Sequence, residues 1–185
     1  MVEGLPFRSS SSEGSKVKLR RVLYLLVLVL VLALSVAYAQ EAAPVFQENF
    51  AEGKLNGWAG ANATVEISKD FAKSDQYSAK VTTHGSGWNR IEYNFAGKLE
   101  AGKKYEFTVW LYHETGENLE FHLVRKLGDN YTWLGGNVVI PSGQWTKLSN
   151  IYEVDAHTNE WLFFVEVYKE GVAYYVDDIS IQLVE

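Results

Sequence analysis

The sequence predicts an all-β fold, a sandwich or barrel of antiparallel strands, and three observations carry that prediction. From Val45 onward, short runs with a two-residue period dominate and no long helical pattern appears. Turn-forming clusters punctuate these runs, as in Ala101-Gly102-Lys103-Lys104, Pro141-Ser142-Gly143-Gln144 and Lys169-Glu170-Gly171. The chain also holds 6 Trp, 11 Tyr and 9 Phe, residue types that favour strands.

The elements follow in order. Val45-Phe46 opens the first strand. Thr64–Ile67 and Ala79–Thr82 come next. Arg90–Phe95 alternates Ile91, Tyr93 and Phe95 with Arg90, Glu92 and Asn94, so one face is apolar. Tyr105–Tyr112 sets Tyr105, Phe107, Val109 and Leu111 against Glu106, Thr108, Trp110 and Tyr112. Leu119, Phe121 and Leu123 repeat the pattern against Glu120, His122 and Val124. Trp145–Val154 and Trp161–Tyr168 add two strands, and Ala173–Leu183 closes the chain. In this last run apolar residues alternate around Asp177-Asp178, the pattern of a strand with an acidic kink. Trp58, after Asn56-Gly57, is expected in the core. Trp145, beside a turn, is expected to cap a sandwich end.

The N-terminal residues read differently. Lys16, Lys18, Arg20 and Arg21 precede an apolar run from Leu23 to Leu34, and Ala37-Tyr38-Ala39 follows. This is the pattern of a secretory signal peptide with cleavage before Gln40, an uncleaved signal anchor being the alternative. Residues 1–39 are therefore assigned to the leader, 40–44 to a short linker and 45–185 to one domain, large enough to bury a core without staples. A secreted protein, free of the membrane once the leader is removed, is expected. There is no cysteine, so packing must hold the domain together, with a bound metal as the other device.

Charge narrows the partners. Of 17 Lys and Arg and 23 Asp and Glu, five basic residues (Arg8, Lys16, Lys18, Arg20, Arg21) and two acidic ones (Glu3, Glu13) precede residue 40. The remainder has 12 basic and 21 acidic residues, a formal charge of −9. Phosphate binding needs a positive field, so no nucleic-acid partner is expected. Neutral ligands, cations or basic surfaces suit the domain better.

The strand faces opposite the apolar ones supply candidate site residues. Taken as parts of one sheet, they present Arg90, Glu92, Trp110, Tyr112, Glu120, His122, Glu166 and Tyr168, with Trp88 just ahead of its strand. Trp88 follows three small residues, Gly85-Ser86-Gly87. Tyr131 and Trp133 also stand in an open, Gly-flanked setting. Glu166 lies mid-way along an apolar strand, a costly place unless it meets water or a partner. Flat rings and planar hydrogen-bonding groups suit a sugar, whose C–H faces stack on aromatics while its hydroxyls take paired hydrogen bonds. Each of these Trp residues also has the simpler reading of core or edge packing.

Five landmarks then bring a family into view. Phe50-Ala51-Glu52-Gly53-Lys54-Leu55-Asn56-Gly57-Trp58, Ser78-Ala79-Lys80-Val81, Ala101–Tyr105, Gly143-Gln144-Trp145-Thr146-Lys147-Leu148 and Tyr174–Ile181 resemble, in order, motifs of carbohydrate-binding modules of families four, nine and twenty-two. The resemblance covers nearly all of residues 45–185. It implies a jelly-roll β-sandwich of two antiparallel sheets whose concave face holds β-linked glycans such as xylan, β-glucan or amorphous cellulose, without catalysis. By position, Trp88 and Tyr131 resemble the family's stacking aromatics and Glu166 its hydroxyl-binding acid, with Arg90 as a donor beside Trp88. The xylan-binding branch often carries an Arg shortly after the first Trp, where this chain has Ala59-Gly60-Ala61-Asn62.

The family commonly holds a structural calcium. The resemblance therefore implies Ca2+ on Asp177 and Asp178, with Glu48 or Glu52 standing in for the acid that Ala51 replaces. The other reading of the Asp pair is an acidic β-bulge bonded to backbone N–H groups. A monomer is expected. Two other functions share the fold class: a glycoside hydrolase or lyase using a pair among Glu92, Glu120 and Glu166, and an adhesion protein using its aromatics for a protein contact. His84, His113, His122 and His157 lack metal-ligand spacing. Asn62-Ala63-Thr64 and Asn130-Tyr131-Thr132 are glycosylation sequons.

Overall fold

The computed structural model describes residues 43–184, apart from Gly136 and residues 156–160, together with Tyr24. The chain divides into two units, residues 1–42 and 43–185; apart from Tyr24, the leader and residues 40–42 of the linker lie outside the described residues, as does His157.

The described residues of the second unit form twelve strands: β1 (Phe46–Glu48), β2 (Ala59–Ala61), β3 (Ala63–Ser68), β4 (Ser78–Thr83), β5 (Asn89–Asn94), β6 (Lys104–His113), β7 (Leu119–Leu127), β8 (Asn130–Trp133), β9 (Val138–Ile140), β10 (Thr146–Glu153), β11 (Trp161–Val167) and β12 (Ala173–Leu183). They form two six-stranded antiparallel sheets. The first runs β10-β6-β12-β4-β3, with β1 paired to β12; the second runs β2-β5-β11-β7-β8, with β9 paired to β7. This is the jelly-roll sandwich. From β4 to β7, and again from β9 to β12, successive strands change sheets, so neighbours within a sheet are mostly distant in sequence.

The alternating pattern sets which side chains meet in the middle. Phe107, Val109 and Leu111 of β6 and Tyr174, Val176, Ile179 and Ile181 of β12 face Ile91 of β5, Phe121 and Leu123 of β7 and Trp161, Phe163 and Val165 of β11, all fully buried. Phe107 stacks on Phe163 with ring centroids 5.1 Å apart. Each such side chain contributes about 1.5–3 kcal/mol by leaving water, so no disulfide is needed. Trp58 lies in this core as expected, against Phe46, Tyr93, Phe95 and Phe163. Trp145 packs instead on Tyr112, on the outer face of the first sheet.

The acidic kink in β12 is a β-bulge. Asp177 pairs with Trp110 and Ser180 with Thr108, so β12 uses one more residue than β6 between those points. Asp178 takes the extra place at φ 45°. Without it, Ile179 and Ile181 would turn outward, since a one-residue slip exchanges the faces. Three strands were not visible in the sequence: β2, β8 and β9, each of three or four residues at a sheet margin. Such short segments are held by a neighbour's ladder and carry no period of their own. In β2, a Cβ on Gly60 would come within 2.2 Å of the Ala63 carbonyl oxygen, so only glycine fits the corner leading into β3.

Candidate functional site

Three crossover connections converge on one end of the second sheet: residues 84–88 between β4 and β5, 114–118 between β6 and β7, and 168–172 between β11 and β12. The register places them together, since Val167 at the end of β11 faces both Asn89 and Phe121. The first connection carries Trp88 and is fixed by the residue after it. The buried Asn89 side chain accepts hydrogen bonds from the His84 and Gly85 N–H groups, at 3.2 and 2.9 Å, and donates to the carbonyls of Gly85 (2.9 Å), Gly87 (2.7 Å) and Lys169 (3.2 Å). Asn62, at φ 53°, donates to the Trp88 carbonyl at 3.0 Å. The Trp88 backbone is thus held by two side-chain amides before any ligand arrives, which is the pre-organisation a binding site requires.

The outer face of the second sheet forms a groove. Its floor is a cross-strand row of Arg90, Glu166 and His122, from β5, β11 and β7. The next row along holds Glu92, Phe164, Val124 and Trp133. Phe164 and Val124 point away from the core yet are fully buried, because side chains of the outer face cover them. The Arg90 guanidinium lies 4.6 Å over the Phe164 ring, while its Nε donates to Glu92 at 2.6 Å. Tyr131 meets Phe164 edge-on, with centroids 6.3 Å apart.

Two polar groups on this floor stand out. Glu166 is only 4% exposed, and burial pushes its carboxyl up to about 7, against the pull of Arg90. His122 is 3% exposed; burial holds its imidazole below the usual range, against the pull of Glu120. Its Nε2 lies 3.6 Å from Glu120, and its Nδ1 has no hydrogen-bond partner among the described residues. Trp88 and Trp133 flank the imidazole, with centroids 5.0 and 5.2 Å away, and Tyr168 meets Trp88 edge-on at 5.1 Å. Tyr131, Trp133 and Tyr168 are 56%, 58% and 62% exposed, so rings flanking the buried row stand open to solvent.

Above the floor are two adjoining depressions. One, of about 440 Å³, is lined by Asn62, Trp88, Arg90, Tyr131, Trp133 and Glu166. The other, of about 560 Å³, lies toward the crossover loops and shares Trp88 and Trp133 with the first.

Of the site residues expected from the sequence, the structure therefore gathers Trp88, Arg90, Glu92, Glu120, His122, Tyr131, Trp133, Glu166 and Tyr168 on one sheet face. It separates Trp110 and Tyr112, which belong to β6 in the first sheet. Their outward orientation was legible; which sheet would receive β6 was not. There Lys73 Nζ sits 3.9 Å over the Trp110 ring, and Tyr112 is buried among Phe71, Trp145 and Tyr175. Asn62, Asn89, Phe164 and Val124 are site residues that the sequence reading does not name as such, although it sets Val124 on the outward face of its strand. The place of Asn89 beside Trp88 was the one available signal.

The residues expected to hold calcium are placed otherwise. Asp177 Oδ2 accepts from the Lys73 and Ser74 N–H groups at 2.8 and 3.5 Å, and Oδ1 from the Asp178 N–H at 2.8 Å. Asp178 accepts from Ser74 Oγ at 2.7 Å and pairs with Lys73 Nζ at 3.5 Å. Glu48 accepts from the Phe50 N–H and the Asn56 amide, and Glu52 is an exposed partner of Lys54. A calcium ion needs six or more oxygens free to face it. Here the two Asp carboxylates face N–H and O–H donors and an ammonium, so this donor set does not fit the ion. Among the described residues no group of three or more Asp, Glu or His gathers elsewhere.

Comparison with known proteins places the fold. The family described as Carbohydrate binding domain (CBM 4/9) matches residues 42–171. Endo-1,4-beta-xylanase A of Thermotoga neapolitana is 28% identical over 191 residues, covering 97% of this chain but 17% of that protein's length. The CBM22-1 xylan-binding domain of Paenibacillus barcinonensis Xyn10C is similar in structure, with a TM-score of 0.68 at 20% identity over 80% of this chain and 98% of that one. The C-terminal family 22 carbohydrate binding module of Clostridium thermocellum Xyn10B gives 0.68 at 20% identity over 78% and 96%. At such identity these structures speak for the fold alone, but the match over residues 42–171 settles the family: the chain belongs to the carbohydrate binding domain family.

Proposed function

We propose that the groove grips a β-1,4-linked xylan-type chain without cleaving it. The observation that carries this reading is the cross-strand row of half-buried Arg90 with buried Glu166 and His122, flanked by Trp88 and Trp133. Rings offer flat apolar surfaces to sugar C–H faces, and the polar row offers hydroxyl partners in a partly dry setting. The xylanases and xylan-binding domains to which the chain is similar support the choice of xylan. So does one compensation. The chain lacks an Arg on β2, but Ala61 pairs directly with Arg90, so β5 presents a guanidinium beside the place β2 would have used. β-Glucan and amorphous cellulose are the nearest competing ligands. Binding outside the cell, as a monomer, accords with the leader sequence and the acidic surface.

Affinity electrophoresis in gels containing xylan, mixed-linkage glucan or hydroxyethyl cellulose tests the reading. Xylan should retard the protein, and Trp88→Ala should reduce retardation by about tenfold or more, the scale of a binding hot spot. Equal migration in all gels would sink it. Incubation with xylan should release no reducing sugar; release abolished by Glu166→Gln would instead favour a hydrolase.

A further inference from the structure

The residues that resemble the family's ligand contacts, Trp88, Arg90, Tyr131 and Glu166, line the smaller depression. The larger one is lined by Glu117, Asn118, Glu120, His122, Asn137 and Lys169, with Trp88, Trp133 and Tyr168 as its rings. We propose that this end of the groove is a second subsite, one that accepts an additional neutral sugar unit and rejects a uronate. The proposal rests on the glycan reading above and extends it to the crossover loops.

Three features support it. First, the loops are tied to one another before binding. Asn89 of β5 donates to the Lys169 carbonyl, and Lys169 Nζ pairs with Glu117 at 2.7 Å. The connections between β4 and β5, β11 and β12, and β6 and β7 are therefore fastened into one wall, so little ordering cost attends binding. Second, the His122 Nδ1 in this lining is buried without a partner among the described residues. Such a group is costly while unsatisfied. A small turn of the ring toward an arriving hydroxyl would relieve that cost. Third, the charges choose the ligand. Lys169 and Glu117 neutralise each other as an ion pair, which leaves the Glu120 carboxylate to set the charge of the lining. A uronate here would meet repulsion, whereas hydroxyls find amides on Asn118 and Asn137 and acceptors on the glutamates. The unit can be the next backbone xylose or a neutral pentose branch; both offer the same hydroxyl chemistry.

Calorimetry with four saccharides separates these sources: linear xylotriose, linear xylohexaose, and arabinosyl- and glucuronyl-substituted xylotriose. The intact protein should bind the hexaose or the arabinosyl trisaccharide about tenfold more tightly than plain xylotriose. A gain for the hexaose assigns the subsite to the backbone; a gain for the arabinosyl compound assigns it to a branch. Asn118→Trp, at an exposed loop position, should fill the depression and erase the gain while leaving xylotriose binding and the melting temperature unchanged. Asn118→Ala with Asn137→Ala should erase it without adding bulk. Equal affinity for all four saccharides, or a gain that survives both variants, overturns the subsite alone. A gain for the glucuronyl compound overturns its neutral character. Absence of binding to any saccharide overturns both this proposal and the groove itself.

Discussion

The two sheets of this sandwich carry similar outer faces, but among the described residues the large exposed rings that flank buried polar groups gather over the second. The first sheet presents Trp110, Tyr112 and Tyr175; the second presents Tyr131, Trp133 and Phe164. Residue type does not separate them. What differs is the cover. Over the first sheet, the segment between β3 and β4 folds back so that Phe71 lies 4.6 Å from Tyr112 and 4.9 Å from Tyr175, and Lys73 lies over Trp110. Its carboxylates are answered locally: Asp177 and Asp178 by Lys73 and Ser74, and Asp70 by Lys80. Over the second sheet the loops stop at the rim. The rings there remain open, and the floor keeps a carboxyl and an imidazole buried. An outer face becomes a site when its polar groups are desolvated but left unsaturated.

The largest expected contrast is between two tryptophans. Trp133→Ala should weaken xylan binding by about tenfold or more and barely change stability, since the ring is already exposed. Trp110→Ala should leave binding intact and lower the melting temperature through the lost Lys73 contact, worth about 0.5–2 kcal/mol. The reverse result, by affinity electrophoresis and thermal melts, would move the site to the first sheet.

A smaller effect is expected at Asn89. Asn89→Ala removes five hydrogen bonds to the loop backbone. It should lower the melting temperature by roughly 2–4 °C per kcal/mol lost and blur the Trp88 fluorescence shift that saccharide induces. Asn89→Asp keeps the acceptor and loses the donors, so it should rescue only part of the loss. A melting change with no loss of the saccharide response would show the amide to be structural alone.

The pH dependence comes next. Burial pushes the Glu166 carboxyl up to about 7 in the folded protein, from the 4.5 of a free glutamate. Between those values the folded state holds the proton that the unfolded state has lost. This contribution is fully present at low pH and is lost as pH rises through about 7. His122, with its pKa depressed by burial, runs the other way: its contribution is present above the usual imidazole range and is lost as pH falls through it. Glu166→Gln should remove the first slope and leave the second. Urea unfolding at about pH 5 and about pH 8 should therefore show the wild type losing stability relative to the variant as pH rises. A constant difference would contradict the buried position of Glu166.

The smallest effect concerns the metal. With the Asp177 and Asp178 oxygens engaged by intrachain donors, chelator should leave the melting temperature unchanged, while Lys73→Ala should lower it. A drop with chelator, restored by calcium, would show that the bulge rearranges to admit the ion.

The sequence reading and the structure part company at identifiable places. The period-two runs from Arg90 to Leu183 located β5, β6, β7, β10, β11 and β12 to within a residue or two at most ends, because burying one face imposes that period whatever the topology. The same period put Glu166 and His122 on outward faces correctly. It also put Trp110 and Tyr112 outward, correctly, and then grouped them with the wrong sheet. Period reports which side of a strand is wet and says nothing of which sheet the strand joins. Asn89 was passed over because a loop clamp is a set of contacts to backbone, which leaves no pattern.

By itself, then, the sequence determined the class of fold, the inward and outward faces of β5, β6, β7 and β11, the presence of an acidic kink in β12 and the family, since these follow from local alternation, turn chemistry and short ordered motifs. Only the tertiary structure decided that β5, β7 and β11 lie side by side with β6 across the core from them, that three crossover loops meet at one end, and that the Asp177–Asp178 pair is bound by Lys73 and Ser74. Those outcomes depend on contacts between residues far apart in the chain, and pairing at such distance is selected by the joint packing of both sheets rather than by any one segment.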